Sequence, residues 1–248
     1  MVPQAGRRGT RRPWDDRAAG ACYHECMDRP RKIISCEVLR NEVECVNPGY
    51  EVDFFEGALH DYPDRMRVAI QQRIDDTPGA CEILLCCGRC SNGATGLDAG
   101  PHRLVLPAVD DCISLVLGSR ENYLQEHRAQ PGTYYYTRGW IDFIQDPYKE
   151  YLKIVPKYGE EKAAMVARMI MEHYTRVAVI ETPGVPGVED KRAYLDEVCA
   201  FYDLPLEPLT GSLRFFEKLM DGPYGDEFIV VEPGGSLDER RFWDLPGA

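Results

Sequence analysis

Cysteines follow three predicted strands in this chain, and their placement indicates thiol or metal chemistry. Cys36 lies near the end of the first predicted strand, and Cys112 comes just after the third. Cys86, Cys87 and Cys90 end the second strand and open the loop that follows it. In open α/β sheets, ligands bind outside the carboxyl ends of the strands. The sequence therefore predicts that Cys36, Cys90 and Cys112 meet at one edge of a sheet.

The spacing of Cys87 and Cys90 is C-x-x-C, which lets two thiolates reach one metal ion or form a disulfide. A structural zinc ribbon needs a second such pair, and the sequence has none. Because side chains alternate across a sheet, only one of Cys86 and Cys87 can face the site. Three further cysteines are expected to serve as packing residues: Cys45, Cys81 and Cys199.

Three other side chains complete the predicted site. His60, ahead of a helix that starts at Pro63, is the predicted fourth ligand, since imidazole and thiolate both suit zinc. Its alternative role is that of a capping or surface residue. Asp111 precedes Cys112 and can cap a helix or act as an acid or base. Arg89, beside the thiols, would lower their pKa. We take Asp111 and Arg89 as the catalytic candidates.

The loop from Gly88 to Gly96 is rich in glycine but carries no nucleotide signature. The Lys and the Ser or Thr of a P-loop are missing, and G-x-G-x-x-G does not occur. Gly88 and Gly93 would let the backbone approach a ligand or an anion closely, and Asn92 can take a positive φ. These three residues are the predicted cofactor-binding positions, and ATP is not the expected ligand.

Strands alternate with helices along the chain, which indicates βαβ units and a mainly parallel sheet. Short apolar runs predict the strands; Pro63, Asp110 or Asp111, and Ser119 mark the starts of helices. A polar loop is expected around Pro48 and Gly49. The predicted strands are 32–38, 51–55, 82–87, 103–106, 176–181, 205–209 and 227–231. The predicted helices begin near 63, 111 and 119, and span 160–174, 191–201 and 212–220.

The second half of the chain repeats this pattern after an aromatic segment at 131–140. We therefore expect a doubly wound α/β fold with two Rossmann-like lobes facing a cleft, and a single mixed sheet is the alternative. The predicted divisions are a disordered leader at 1–31, a lobe at 32–145 that carries the cysteines, and a lobe at 146–248. In the helix at 160–174, one apolar face is predicted to hold Ala163, Val166, Ala167, Ile170 and Tyr174. His102, His127 and His173 are expected at the surface.

Composition limits the classes of partner. The formal net charge is −12, and no basic stripe alternates with aromatic residues, so we expect no nucleic-acid binding. The longest apolar runs are too short to span a bilayer. With ten cysteines and no recognisable secretion signal, the chain is expected in the reducing cytoplasm, where such a count indicates metal or redox chemistry.

Several segments resemble one family, the bacterial and archaeal domain of unknown function 1638. The resemblance extends over about 32–234 and is carried by 32–38, 85–96 with its G-x-C-x-N-G core, 109–119, 131–141 and 230–234. It implies a polar cluster of Cys36, His60, Cys90 and Cys112, and a partnership with corrinoid-dependent methyltransferase systems. The chain departs from the family pattern at Pro107-Ala108 and at Asp110, which implies a different substrate specificity if those positions bind substrate.

The leading hypothesis is a metalloprotein, with Cys36, Cys90, Cys112 and His60 binding zinc and a small molecule as the substrate. Such a site would serve a metal-dependent transferase or lyase acting in thiol or one-carbon chemistry. A second hypothesis is a [4Fe–4S] cluster on the three cysteines, with one iron open to substrate. A third is a non-catalytic accessory protein that binds a component of a corrinoid methyltransferase system.

Overall fold

The computed structural model describes residues 29–242, so the predicted leader lies almost wholly outside the described residues. From Arg31 onward these residues form one compact unit that contains two sheets. The first sheet has the order β2-β1-β3-β4-β8. Its strands are β1 (Arg31–Cys36), β2 (Glu51–Phe55), β3 (Glu82–Cys86), β4 (Arg103–Pro107) and β8 (Phe228–Val231). The first four are parallel, and β8 runs antiparallel beside β4.

The second sheet is parallel and has three strands in the order β5-β6-β7. They are β5 (Thr133–Tyr136), β6 (Arg176–Glu181) and β7 (Leu206–Thr210). The helices are α1 (Arg40–Val46), α2 (Pro63–Asp75), α3 (Cys112–Val116), α4 (Arg120–Ala129), α5 (Arg138–Phe143), α6 (Pro147–Tyr158), α7 (Glu160–Met171), α8 (Arg192–Tyr202) and α9 (Arg214–Asp221). Short 3-10 turns lie at Glu37–Leu39, Gly57–Asp61, Glu189–Lys191 and Glu239–Phe242.

The central strands β1, β3 and β4 are buried on both faces, which is why their interiors are apolar runs, whereas the edge strand β2 carries exposed Glu51. One face carries Ile34 and Leu85, which belong to the same apolar layer as helix α2. The other carries Ile33 and Leu84, which belong to a layer with residues of α1 and α9. The same alternation places Cys86 in the second layer, while the next residue, Cys87, lies in the first. Only Cys87 therefore shares a face with helix α2.

A third apolar layer covers the second sheet and is unusually aromatic. Tyr136 of β5 and Tyr148 of α6 both contact Tyr194 of α8, with ring centroids 6.4 and 5.9 Å apart. Ala163 and Ala167 bring α7 close to this layer, because small side chains allow a close approach. The layer holds the second sheet and its helices together.

The predicted α/β class, with a mainly parallel sheet and a second group of strands, is confirmed. Sheet membership, however, changes before residue 145: β5 already belongs to the second sheet, and β8 returns to the first. Among residues 29–242, no helix is long and apolar enough to cross a lipid bilayer.

Some local predictions are wrong. Helix α1 occupies the segment expected to be a polar loop, and β5, α5 and α6 occupy the aromatic stretch and the residues after it, which received no element. The predicted apolar face of α7 is only partly buried, since Ala163 and Ala167 are buried while Val166 and Ile170 are exposed. Tyr174 lies beyond the end of the helix at Met171. The predicted surface residue His102 is buried, and its Nδ1 accepts a hydrogen bond from the backbone N–H of Cys81 at 3.3 Å.

Candidate functional site

Four cysteine side chains from the carboxyl ends of β1, β3 and β4 line one small enclosed cavity. Cys36 ends β1, Cys87 and Cys90 follow β3, and Cys112 begins α3. The structure thus brings together the three cysteines that the sequence selected, and it adds Cys87 to them. The parallel register explains this, because β1 pairs with β3 and β3 with β4, so consecutive strand ends lie side by side.

The cavity is apolar apart from its sulfur atoms and one imidazole. Its volume is about 20 Å³, which is room for one water molecule or one ion. Phe55, Met66 and Trp140 form part of its wall, and His60 lines it as well. As the side chains stand, no group of three or more His, Cys, Asp or Glu residues within 29–242 has the arrangement of a metal site. Binding an ion would therefore require the thiol side chains to rotate towards one another.

Burial keeps these thiols protonated. It raises the pKa of Cys36 and of Cys90 to about 12, and the pKa values of Cys87 and Cys112 lie well above the ordinary value for the same reason. Unfavourable interactions between the sulfur atoms raise the values further. These values are raised, contrary to the expectation that Arg89 lowers them, and the Arg89 guanidinium pairs with Asp110 at 3.0 Å. A cation bound at this cluster would favour ionisation of the thiols.

Cys90 is held in a strained stretch of backbone. Cys90, Ser91 and Asn92 have φ values of 46°, 53° and 70°, so three consecutive residues that are not glycine adopt the left-handed conformation. Backbone of this kind costs about 1–3 kcal/mol per residue and clusters at functional sites. A hydrogen bond of 2.9 Å from the Cys90 N–H to the Asp110 carbonyl ties the strained turn to the loop after β4. The positive φ expected for Asn92 is present.

The two glycines selected as cofactor-binding residues face protein atoms. A β-carbon on Gly88 would lie 2.7 Å from the backbone of Asp111, and one on Gly93 would lie 2.5 Å from the sulfur of Met66. Gly88 therefore allows the β3 and β4 loops to touch, and Gly93 allows the loop to pack on α2. The Asn92 side-chain amide donates to Glu239 at 3.1 Å. These contacts give all three residues a part in positioning Cys90.

His60 lies at the mouth of the cavity with both ring nitrogens engaged. Its Nδ1 is 2.8 Å from the Gly57 carbonyl, and its Nε2 is 3.0 Å from the exposed carboxylate of Asp61. The ring packs on Trp140 with centroids 5.1 Å apart. An Nδ1–H that donates to a backbone carbonyl leaves Nε2 as the coordinating nitrogen, which is common among metal-binding histidines. His60 would bind an ion only after releasing Asp61.

An open cleft of about 400 Å³ adjoins the cavity and shares His60, Cys90, Cys112 and Trp140 with it. Arg89, Asp110 and Asp111 supply charge on one side, and aromatic residues from the β5 region form much of the other. The size and mixed lining suit a small organic molecule. The residues that line the cleft are His60, Arg89, Cys90, Ser91, Asp110, Asp111, Cys112, Ile113, Thr133, Tyr134, Tyr135, Trp140 and Tyr174.

Asp111 serves as the N-cap of α3, one of the two roles proposed for it. Its Oδ1 accepts from the backbone N–H groups of Ile113 at 3.0 Å and Ser114 at 3.3 Å. Burial raises the pKa of this carboxyl, although the two N–H groups act in the opposite direction. Asp111 also lines the cleft, so the cap and the acid or base role are compatible in position.

The sequence did not assign Cys87 or Trp140 to the site, although both line the cavity. Alternation showed that one of Cys86 and Cys87 would face the site, but the sequence did not reveal which. Trp140 lies in the aromatic segment at 131–140 and lines both the cavity and the cleft. The signal for Trp140 is the preceding Gly139, whose missing side chain brings α5 against the backbone of Val38.

The fold and the site define an α/β protein with a cluster of thiols at the base of an open cleft. The chain belongs to the family described as "Protein of unknown function (DUF1638)", whose model matches residues 54–220. The resemblance found in the sequence is thereby confirmed. The matched region contains His60, Cys87, Cys90 and Cys112 and begins after Cys36. No curated protein and no solved structure matches the chain.

Proposed function

We propose that the cysteine cavity binds a single metal ion through Cys36, Cys90 and Cys112, with His60 as the fourth ligand and zinc as the metal. The observation that carries this proposal is the convergence of thiols from three strand ends on a cavity of about 20 Å³. Cys87 lines the same cavity and is the substitute fourth ligand if His60 keeps its bond to Asp61. Four thiol or imidazole groups match the tetrahedral preference of zinc.

The strained turn at Cys90 supports the same proposal. Three left-handed residues in succession cost free energy. A bond from the Cys90 sulfur to a metal ion would offset that cost and fix the turn. The raised pKa values agree with this scheme, because thiols that stay neutral without an ion would release protons when one binds.

The cleft supports an enzymatic role for this centre. Cys90, Cys112 and His60 belong to both the cavity and the cleft, so a bound ion would lie at the floor of the cleft. Zinc held by thiolates would activate a thiol or a water there, as thiol or one-carbon transfer chemistry requires. Arg89 would bind and orient an anionic part of the substrate, and Asp111 would hold or accept a proton. The reaction class proposed is that of a metal-dependent transferase or lyase in the cytoplasm.

A [4Fe–4S] cluster on the three cysteines is the second candidate for the same site. The number of thiols favours it, and the adjoining cleft would leave one iron open to substrate. The volume of the cavity argues against the cluster, since a cubane of eight atoms needs far more room than one ion. A non-catalytic role beside a corrinoid methyltransferase component rests on the family resemblance alone.

Metal content decides between these candidates. The full chain would be purified anaerobically and its metals and absorption spectrum measured. About one zinc per chain and a colourless sample support the proposal. Replacing the zinc by cobalt should then give a sulfur-to-cobalt charge-transfer absorption band. Iron with a broad visible band would support the cluster instead. A chain that contains no metal and binds neither zinc nor iron in titrations would overturn both and favour the accessory role.

A further inference from the structure

Helix α7 exposes an apolar stripe on the side that faces away from the core. Ala163, Ala167 and Met171 are buried, as the inner face of an amphipathic helix should be. Four large apolar side chains on the same helix remain largely exposed: Met165 at 58%, Val166 at 44%, Met169 at 62% and Ile170 at 55%. The preceding helix α6 adds exposed Leu152 and Tyr158. A cluster of this kind on a helical surface marks an interaction site.

The charges at the two ends of the stripe are complementary to each other. Lys162 lies one turn before Met165 and Val166, and Glu172 lies just after Met169 and Ile170. Both are exposed, and among residues 29–242 the only ion-pair partner of Glu172 is its exposed neighbour His173, at 3.2 Å. When two copies of α7 pack antiparallel about a two-fold axis at the level of Ala167, Lys162 of one copy meets Glu172 of the other. The same axis sets Met165 against Met169 at the centre.

We propose that this stripe, defined by Met165, Val166, Met169 and Ile170, pairs with the same stripe of a second copy to form a two-fold symmetric dimer. Self-complementarity is the requirement of such an interface, and the placement of Lys162 and Glu172 meets it. Helix α7 has 12 residues and is therefore about 18 Å long. One helix face of this length gives an interface at the small end of the specific range, below about 1,200 Å². The dimer is expected to form at micromolar concentrations.

The test is sedimentation velocity of the full chain over a range of concentrations. The parent should pass from 28.2 kDa to twice that mass as the concentration rises. The double variant Met165→Glu/Met169→Glu should raise the dissociation constant at least tenfold. Val68→Glu, at an exposed apolar position on helix α2, is the matched control and should leave it unchanged. Far-UV circular dichroism shows that each variant is folded.

Charge reversal tests the antiparallel arrangement itself. Lys162→Glu and Glu172→Lys should each weaken the dimer about two- to tenfold, since each breaks two exposed ion pairs. Combining them in one chain should restore the parent value, which a parallel pairing would not do. A parent that stays monomeric at 100 µM or more overturns the dimer and leaves the stripe to a different protein. A dimer insensitive to the methionine variants places the interface elsewhere.

Discussion

A β-carbon on Gly139 would lie 1.8 Å from the carbonyl oxygen of Val38, because helix α5 packs directly on the 3-10 turn after β1. This approach joins the region of the second sheet to the strand end that carries Cys36. It also places Trp140, the next residue, over the cysteine cavity and against His60. The geometry of the candidate site thus depends on a backbone contact between segments about one hundred residues apart.

Replacing Gly139 by alanine should displace α5. The added carbon cannot be accommodated by rotating a side chain, since the obstructing atom belongs to the backbone. We expect a loss of at least about 2 kcal/mol in the free energy of unfolding, measured by urea denaturation with circular dichroism. Gly225→Ala is the control, because a β-carbon there meets nothing within 4 Å. Equal stability of the two variants would show that α5 does not rest on Val38.

Cys90→Ser should lower the metal content of the purified chain, whereas Cys199→Ser should leave it unchanged. Cys90 lines the cavity in a strained turn, while Cys199 lies in helix α8 against the third apolar layer. A serine at either position costs some stability, so stability alone cannot distinguish them. Elemental analysis of both variants beside the parent gives the answer. Unchanged metal in Cys90→Ser would remove this residue from the ligand set.

Once any bound metal has been removed, a buried thiol should be alkylated more slowly than an exposed one. With a pKa of about 12, roughly one Cys90 thiol in ten thousand is ionised at pH 8, and the same holds for Cys36. Cys45 is exposed. With iodoacetamide at pH 8, alkylation of Cys45 should be at least one hundred times faster than that of Cys36 or Cys90, followed residue by residue with mass spectrometry. Comparable rates would mean that the cluster opens readily to solvent.

Stability should fall as the pH rises from about 4.5 to 7 because of Glu42. This carboxyl is buried in α1, its Oε2 has no hydrogen-bond partner among the described residues, and burial raises its pKa to about 7. Between these pH values the folded state holds a proton that the unfolded state has released. The destabilisation is absent below about pH 4.5 and complete above pH 7, where it amounts to about 3 kcal/mol.

Glu42→Gln tests this assignment by removing the charge while keeping the shape. The variant should be more stable than the parent at pH 8 and about equal to it at pH 4.5, measured by urea denaturation. Glu44→Gln, at an exposed position of the same helix, should track the parent at both pH values. A Glu42→Gln variant that loses stability at pH 8 would show that the carboxylate has a favourable partner.

The parts of the fold that the sequence predicted are those set by local pattern. Strands β1, β3 and β6 are apolar runs bounded by charge, and Pro63 and Ser119 mark helix starts through local hydrogen bonding and φ preference. Because strand ends in a parallel sheet converge, the meeting of Cys36, Cys90 and Cys112 was also predictable.

The parts of the structure that the sequence did not predict depend on contacts between residues distant in sequence. Helix α1 has the polar composition RNEVECV and buries Glu42, so its pattern gives no amphipathic signal. Burial of His102 depends on its bond to the backbone of Cys81, and the position of Trp140 depends on the approach of Gly139 to Val38. Val166 and Ile170 look like core residues by spacing alone, but the core lies on the other side of the helix.

The path of the chain makes the second sheet an insertion within the first. The chain leaves the first sheet after β4, builds β5, β6 and β7, and returns to pair β8 beside β4. Two covalent crossings therefore join the halves, where a simple tandem arrangement would have one. A double connection ties the second sheet to the first more closely than a single linker would, and the two walls of the cleft belong to the two sides so joined.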